Sequence, residues 1–464
     1  MTIPDNIKQY RERYSVGTAW QLSAGSTEGI DNVVVIPALA ESEHLFGTLA
    51  SLAENPPRDL ARTLVLCVIN NRSPHYTPPE EFVDNQMTVS ILRDLGNGNM
   101  HEDAGYNHSL SASLKKILRN NLKTAYVDAS SPGQEMPDKS GGVGLARKIG
   151  LDLALNLFKY EKRGINLLFS LDADTLVETN YLSAVRTFFK KKKRHAAVIE
   201  FRHQIPENPD EQAAICCYEM FLRYYILGLC FAGSPYVMHS VGSTIVCSAD
   251  GYAAVRGMNK RKAGEDFYFL NKLAKITDIG IIDTTRVYPS SRASSRVPFG
   301  TGKRVIRFLN GEHPEYLLYD PAVFVVVKQW LEYVFSHPEA EGKMMIHEAR
   351  KIHPSLEEFL GKQRFHDVWR RLKKNSRSSS ILLKHFSSWF DGFKTLKLIN
   401  HLTRNGISPI DMFRAVRELL EMMGKGKHPA VRTDGVPSIQ VQEEILNYLR
   451  HIENEVRLES FHQR

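Results

Sequence analysis

Cysteine is scarce in this sequence and scattered. Five occur among 464 residues: Cys216 and Cys217 are neighbours, Cys67, Cys230 and Cys247 stand apart, and no C-x-x-C occurs. That spacing excludes a zinc cluster and suits a reducing compartment. The opening MTIPDNIKQYRERY has no apolar core segment, so no secretory signal is expected. Long apolar runs are missing too: the richest window, Tyr224–Ala249, is interrupted by Gly228, Gly233, Pro235 and His239, which makes a poor membrane span. There is no internal repeat and no H-E-x-x-H. Gly300-Thr301-Gly302-Lys303-Arg304 lacks the spacing and the strand–loop–helix context of a phosphate-binding P-loop, which excludes a P-loop nucleoside triphosphatase. The expectation is a soluble, cytoplasmic protein.

What is present is ordinary in bulk and uneven in detail. Hydrophobic residues make up 42% and charged residues 24%, as in globular domains, and the length is ample for two or three of them. The net charge of +8 suits an anionic partner: a nucleotide, a nucleic acid or an acidic membrane surface. The basic run Lys190–Arg194 closes a helix, where cations complement the dipole. It reads as a solvated face, with contact to the inner face of a membrane or to nucleic acid as the sharper alternative. Nothing else points to nucleic acid, and no such partner is expected.

Along the chain, strands and helices alternate. Asn32–Pro37 (NVVVIP) is a β-branched strand, followed by helical spacing over Ser42–Ala53. Thr63–Ile69 is a second strand running into the polar turn Asn70-Asn71-Arg72-Ser73-Pro74, Thr88–Leu92 reads as a third, and Thr124–Val127 as another. Helical spacing returns over Gly142–Tyr160, then a strand at Leu167, a helix from about Thr179 to Lys190 and a strand Ala196–Phe201. A helix over Asp210–Phe231 precedes a strand at Thr244–Cys247 and a short helix Ala249–Val255. This order predicts an α/β domain with a largely parallel sheet, whose ligands bind beyond the carboxyl ends of the strands. From Pro321 onward helical patterns take over, with Gly424–Pro437 as a loop, while residues 1–30 read as a polar lead-in.

Two places carry carboxylates in a chemical pattern. In LLFSLDADTL, Asp172 and Asp174 follow a buried strand, and in extended geometry they share a face. Paired carboxylates suit a hard cation, Mg²⁺ or Mn²⁺, bound together with phosphates. The alternative is a plain turn in which Asp174 caps the helix that follows. In AGEDFYFLNKLAKI, Glu265 and Asp266 open an amphipathic helix. There they either complement the helix dipole or face a cleft as a base towards a hydroxyl. The loop Val287–Arg304 spaces Arg292, Arg296, Lys303 and Arg304 among Ser and Gly, suited to holding a diphosphate.

The order of these segments resembles the family-2 glycosyltransferases of the GT-A fold, over about residues 30–305. VVVIPALAESEHLFGTLASL is similar to their first strand and helix, LVLCVINNRS to the strand ending V-D-D-x-S, and GVGLARKIGLDLAL to the A-R-N-x-G helix. LLFSLDADTL resembles their metal strand and AGEDFYFLNKLAKI their Glu-Asp segment. The resemblance implies a lead-in over 1–30, a GT-A-like catalytic domain over 31–320 and a helical extension over 321–464. It implies that Pro37, Ala38, Glu41 and Asn70 line the base and ribose pocket, with Arg147 close to the nucleotide. Asp172 would contact ribose or the metal shell, and Asp174 would ligate a divalent Mn or Mg. Asp266, or else Glu265, would take the proton of an acceptor hydroxyl in an inverting transfer from a nucleotide sugar. Arg296 and Lys303 would steady the departing diphosphate, and His313 is a further metal candidate.

The chain also departs from that pattern. Asn70 stands where many relatives have Asp, so the base is not named. Q-x-x-R-W does not follow Asp266, which excludes a processive polysaccharide synthase. The acceptor stays open among glycans, lipid-linked sugars and small molecules. Two other readings compete: a nucleotidyltransferase on a related sheet, and a non-catalytic nucleotide- or glycan-binding protein that keeps the fold.

Overall fold

Runs of β-branched and aliphatic residues make the strands, and the packing of their side chains decides where the sheet lies. A computed structural model describes residues 3–25, 27–71, 77–98, 106–160, 164–296, 300–311, 313–426 and 435–462. The chain divides into two compact units, residues 1–204 with 240–290 and residues 205–239 with 291–464.

Among its described residues the first unit has nine strands: β1 Ser23–Ala24, β2 Asn32–Ala38, β3 Thr63–Asn70, β4 Lys123–Ala129, β5 Leu167–Ser170, β6 Leu176–Val177, β7 Ala196–Phe201, β8 Ile245–Ser248 and β9 Gly280–Tyr288. They form one sheet in the order β1-β4-β3-β2-β5-β8-β7-β9-β6. Parallel pairing runs through β4, β3, β2 and β5 and again between β7 and β9, while β8 is antiparallel to both its neighbours. This is a mixed α/β sheet in which β2, β3, β4, β5, β7 and β9 run one way, the largely parallel arrangement that the alternation of strands and helices predicts. Every residue of β2, β3 and β5 is buried, so helices cover both faces. Val33, Val34, Val35 and Ile36 are wholly inaccessible, each worth roughly 1.5–3 kcal/mol of burial.

Two local expectations change. Thr88–Leu92 is not a strand but the middle of helix Pro79–Asn97. Its buried residues Asn85, Thr88, Leu92 and Leu95 recur at helical spacing, and Pro79 sits in the first turn, where its missing N–H costs nothing. The polar lead-in contains helix Asp5–Arg13, with Ile7 and Tyr10 buried. The Tyr10 hydroxyl donates to Asp152 Oδ1 (2.6 Å) and accepts from Lys148 Nζ (2.6 Å), which ties this helix to helix Val143–Ala154. The turn expected at Arg72–Pro74 lies outside the described residues.

In the second unit, helix Pro209–Phe231 packs with the helical C-terminal region, Ala322–Ser336 through Ile439–His462. Its core holds Trp330, Trp369, Phe324, Phe365 and Phe386, all fully buried. The helix Pro209–Phe231 is long and apolar enough to cross a membrane by length and composition, but 67% of its most apolar window is buried inside the fold. It is a core helix here. Two of its charges, Glu219 and Arg223, are buried together with Glu453, His239 and Arg457. Arg223 bridges Glu219 (3.0 Å) and Glu453 (3.2 Å), and Arg457 reaches Glu453 (2.7 Å). Residues 427–434 of the expected loop lie outside the description.

Candidate functional site

The carboxyl ends of β2, β3, β4 and β5 fall on one edge of the first unit, because these four strands are parallel. Pro37 and Ala38 end β2, and Asn70 ends β3 beside Ala129 of β4. All three are buried. Ala40 follows with φ 51°, a left-handed backbone in a residue with a side chain, and Glu41 is half-buried at the start of helix Ser42–Ala53. Such strain is found where the chain must turn sharply at a site.

Sequence reasoning missed the polar network behind this edge. Asn85 Nδ2 donates to the Asn70 carbonyl (3.1 Å) and Asn71 Oδ1 (2.6 Å), while its own Oδ1 accepts from Ala40 N–H (2.9 Å). Asn71 Nδ2 donates to the Ser130 carbonyl (2.6 Å). Asp128 accepts from the N–H groups of Ser130 and Ser131 (2.9 Å each). Burial pushes the Asp128 carboxyl up, but hydrogen bonds from Ser131 and Ser130 outweigh it and hold it below the usual range. Asn85 gave no signal because it sits mid-helix; D-A-S-S, which ends β4, is a recognisable Asx turn.

The second half of the site is built around Arg147. It lies in helix Val143–Ala154, is 3% exposed, and donates with every nitrogen of its guanidinium. Nε reaches Glu265 Oε1 at 2.9 Å, Nη1 reaches Ser170 Oγ at 2.5 Å, and Nη2 pairs with Asp172 Oδ1. Ser243 Oγ donates to Asp172 Oδ2 and lies 2.9 Å from Thr175 Oγ1. Burial opposes the arginine's charge, but Asp172 and then Glu265 more than compensate, so it is held firmly cationic. Two glycines allow this approach. A side chain at Gly242 would run into the Arg147 guanidinium, and one at Gly144 would meet Asn259 O at 2.9 Å and Glu265 Cβ at 3.0 Å.

Asp172 and Asp174 come together differently from the extended expectation. β5 stops at Ser170, and Thr175 N–H bonds back to the Asp172 carbonyl (3.2 Å). Asp172 therefore opens a tight turn and Asp174 lies within it, both half-buried. The Asp174 carbonyl accepts from Gln204 Nε2 (2.9 Å). Asp174 caps no helix, since the next one, Tyr181–Lys191, starts at Asn180. Glu265 and Asp266 open helix Glu265–Leu273. The Asp266 carboxyl is pushed up to about 7, first by burial and then by Glu265, with Asp172 adding to it; Phe267 N–H (2.7 Å) and Arg147 pull the other way.

A divalent cation fits this donor set in one form. Among the described residues no group of three or more His, Cys, Asp or Glu is placed to cage a metal. Magnesium-like ions commonly use one or two carboxylates and take their remaining ligands from phosphate and water. Asp174 would be the protein ligand in such an arrangement. Asp172, already held by Arg147 and Ser243, stands beside it.

Arg296 and Lys303 belong to the second unit. Arg296 Nε donates to Ser294 Oγ (3.2 Å), and Lys303 lies in helix Thr301–Leu309. His313, also there, is exposed. Part of the cationic loop, residues 297–299, lies outside the description.

No protein-family model matches this chain, and no curated protein does. Among solved structures, the chain aligns with S. aureus TarS residues 1–349 in complex with UDP-GlcNAc at 13% identity and TM-score 0.35, covering 82% of this chain and 93% of that one. It aligns with the mannosyltransferase PcManGT from Pyrobaculum calidifontis, in complex with GDP-Man and Mn²⁺, at 12% and 0.32, covering 97% and 94%. GalNAc-T7 with UDP, GalNAc and Mn²⁺ aligns at 13% and 0.31, covering 61% and 48%. Superpositions this loose carry no argument about chemistry.

Proposed function

We propose that this chain is a metal-dependent, inverting glycosyltransferase that moves a sugar from a nucleotide-sugar donor to a hydroxyl acceptor, of the family-2 type. One observation carries the reading: a single buried guanidinium, that of Arg147, ties Asp172 beyond β5 to Glu265 beside Asp266. A donor-side carboxylate and an acceptor-side base, distant in sequence, thereby share one edge of the sheet.

In this reading Pro37, Ala38, Glu41 and Asn70 line the nucleoside pocket at the ends of β2 and β3. Arg147 is a positioning residue that orients Asp172 and Glu265. A divalent Mn²⁺ or Mg²⁺ on Asp174, with Asp172 beside it, would supply positive charge to the donor's diphosphate. The acceptor oxygen attacks the anomeric carbon as the bond from that carbon to the diphosphate oxygen breaks, and the electron pair leaves with the nucleoside diphosphate. The hydroxyl proton passes to Asp266, whose raised pKa suits it to hold a proton near neutrality. Attack opposite the leaving group inverts the anomeric centre. Arg296 and Lys303 are assigned no step. Cytoplasmic residence is part of the same proposal, since a reducing compartment suits five free cysteines.

The test is a panel of nucleotide sugars with Mn²⁺ or Mg²⁺, on the wild type and Asp174→Ala. Metal-dependent release of nucleoside diphosphate by the wild type and not the variant is expected, with inverted product stereochemistry by NMR. Release of sugar 1-phosphate in place of nucleoside diphosphate would replace this reading with nucleotidyl transfer. Failure of every donor to bind by calorimetry would leave only the non-catalytic reading.

A further inference from the structure

The charge of the chain is concentrated in one part of the second unit. Residues 343–404 contain 14 Lys and Arg against 5 Asp and Glu, a net +9, so the rest of the chain is close to neutral. Within this block, residues 368–390 hold Arg370, Arg371, Lys373, Lys374, Arg377 and Lys384 and no carboxylate at all. They span the end of helix Phe365–Lys374, the turn after it and helix Ser379–Trp389. Ser376 Oγ lies 2.9 Å from His385 Nδ1, which folds the turn onto the second helix and joins these cations into one corner.

Most of them face water. All but the half-buried Lys373 are exposed, and among the described residues Arg371, Lys374, Arg377 and Lys384 have no carboxylate partner. Ordinary solvated helix faces interleave both signs; Arg370 pairs with Asp367 and Lys373 with Glu341, but the four cations left without an acid repel one another and are stabilised by an external anion. The corner also carries apolar surface. Ile381, three residues before Lys384, is 39% exposed, and Trp389 is half-buried with Lys394 Nζ 4.9 Å from its ring centre.

We propose that this corner, residues 370–397, is a docking surface for an anionic phospholipid membrane. Lysine and arginine on long stems, with aliphatic and indole groups beneath, match a bilayer interface, where cations meet headgroups and apolar groups enter the acyl boundary. The ring geometry favours lipid over single-stranded nucleic acid. Base stacking needs an open aromatic face, whereas Trp389 packs against Phe365 (5.3 Å), Phe386 (6.3 Å) and Phe390 (6.2 Å) and is covered by Lys394. Phe393 is covered by Lys397 at 4.4 Å. The inference stands independently of the catalytic reading.

Co-sedimentation of the full-length protein with vesicles tests it, using phosphatidylcholine alone and phosphatidylcholine with about one third phosphatidylglycerol in about 0.1 M salt. Binding to the anionic vesicles only is expected, weakened by added salt. The variant Lys374→Glu/Arg377→Glu/Lys384→Glu should bind about a hundredfold more weakly or worse, with an unchanged melting temperature because the three side chains are exposed. Equal binding by the variant, equal binding to neutral vesicles, or no vesicle binding would each overturn the proposal. Retention of a single-stranded RNA oligonucleotide without vesicle binding would overturn it in favour of nucleic acid. Salt release of the wild type keeps the test decisive if the variant does not fold.

Discussion

At the scale of single residues, Asp266 stands out because its surroundings disfavour its charge while the proposed chemistry uses it. Its folded pKa of about 7 lies above the ordinary aspartate value. For a base that must be ionised to act, kcat/KM should rise with pH and level off above about 7. Stability runs the other way. Between the unfolded pKa near 4 and the folded one the native state binds more protons, so this group's contribution falls as pH rises through that window and the loss is complete above the folded pKa. Asp266→Asn should therefore lose roughly 10²–10⁴ in transfer rate, keep donor affinity, and unfold at higher denaturant at pH 8 by about 1–2 kcal/mol. A flat pH–rate profile, or a variant that melts earlier at pH 8, would remove Asp266 as the base.

Between elements, the critical contact is the close approach of helix Val143–Ala154 to the segments on either side of it. Gly242 has no room for a methyl group beside the Arg147 guanidinium, and that position is 3.5 Å from Asp172 Oδ2. In Gly242→Ala the arginine must shift and leave its partners Asp172, Glu265 and Ser170 partly unmatched. Disturbing a buried charge network costs about 3–5 kcal/mol when one partner is lost, so a destabilisation of about 2–4 kcal/mol is expected by urea unfolding. Gly361→Ala, in helix Pro354–Lys362 where an added methyl group meets nothing within 4 Å, offers a control that should leave stability and donor affinity unchanged. Equal donor affinity in Gly242→Ala and the wild type would show that the Arg147 bridge does not shape the donor pocket.

For the molecule as a whole, acid should loosen the second unit. Its buried cluster joins helix Pro209–Phe231 to helix Ile439–His462 through Glu219, Arg223, Glu453 and Arg457, with His239 against Glu453 at 2.8 Å. Burial, more than the neighbouring Arg223 and Arg457, depresses the His239 pKa to about 4 even though Glu453 pulls it up. The unfolded chain thus binds a proton that the native state refuses between about pH 6.5 and 4, and stability falls as pH drops through that window. The loss should reach about 2–3 kcal/mol by pH 4. His239→Gln should flatten the dependence of melting temperature on pH between 7 and about 4.5; an unchanged slope would show that other groups set it.

Much of this was legible in the chain itself. NVVVIP, TLVLCVI and LLFS are buried strands because their β-branched and aliphatic residues have few other ways to leave water, and D-A-D follows the last of them by covalent order alone. The scattered cysteines and the cationic excess were likewise plain in the composition. Periodicity misled at Thr88–Leu92, where a short β-branched run lay inside a longer helical one that only a window from Pro79 to Asn97 reveals. What the tertiary structure alone decided is partnership. No spacing rule says that Arg147 will be shared between Asp172 and Glu265, that Asn85 will hold the turn after β2, or that residues 205–239 will pack with 291–464. Local sequence sets which conformations and surfaces are cheap for each segment. Which buried charge meets which depends on loop closures and sheet order that bring together residues far apart in the chain, and those follow from packing the whole chain at once.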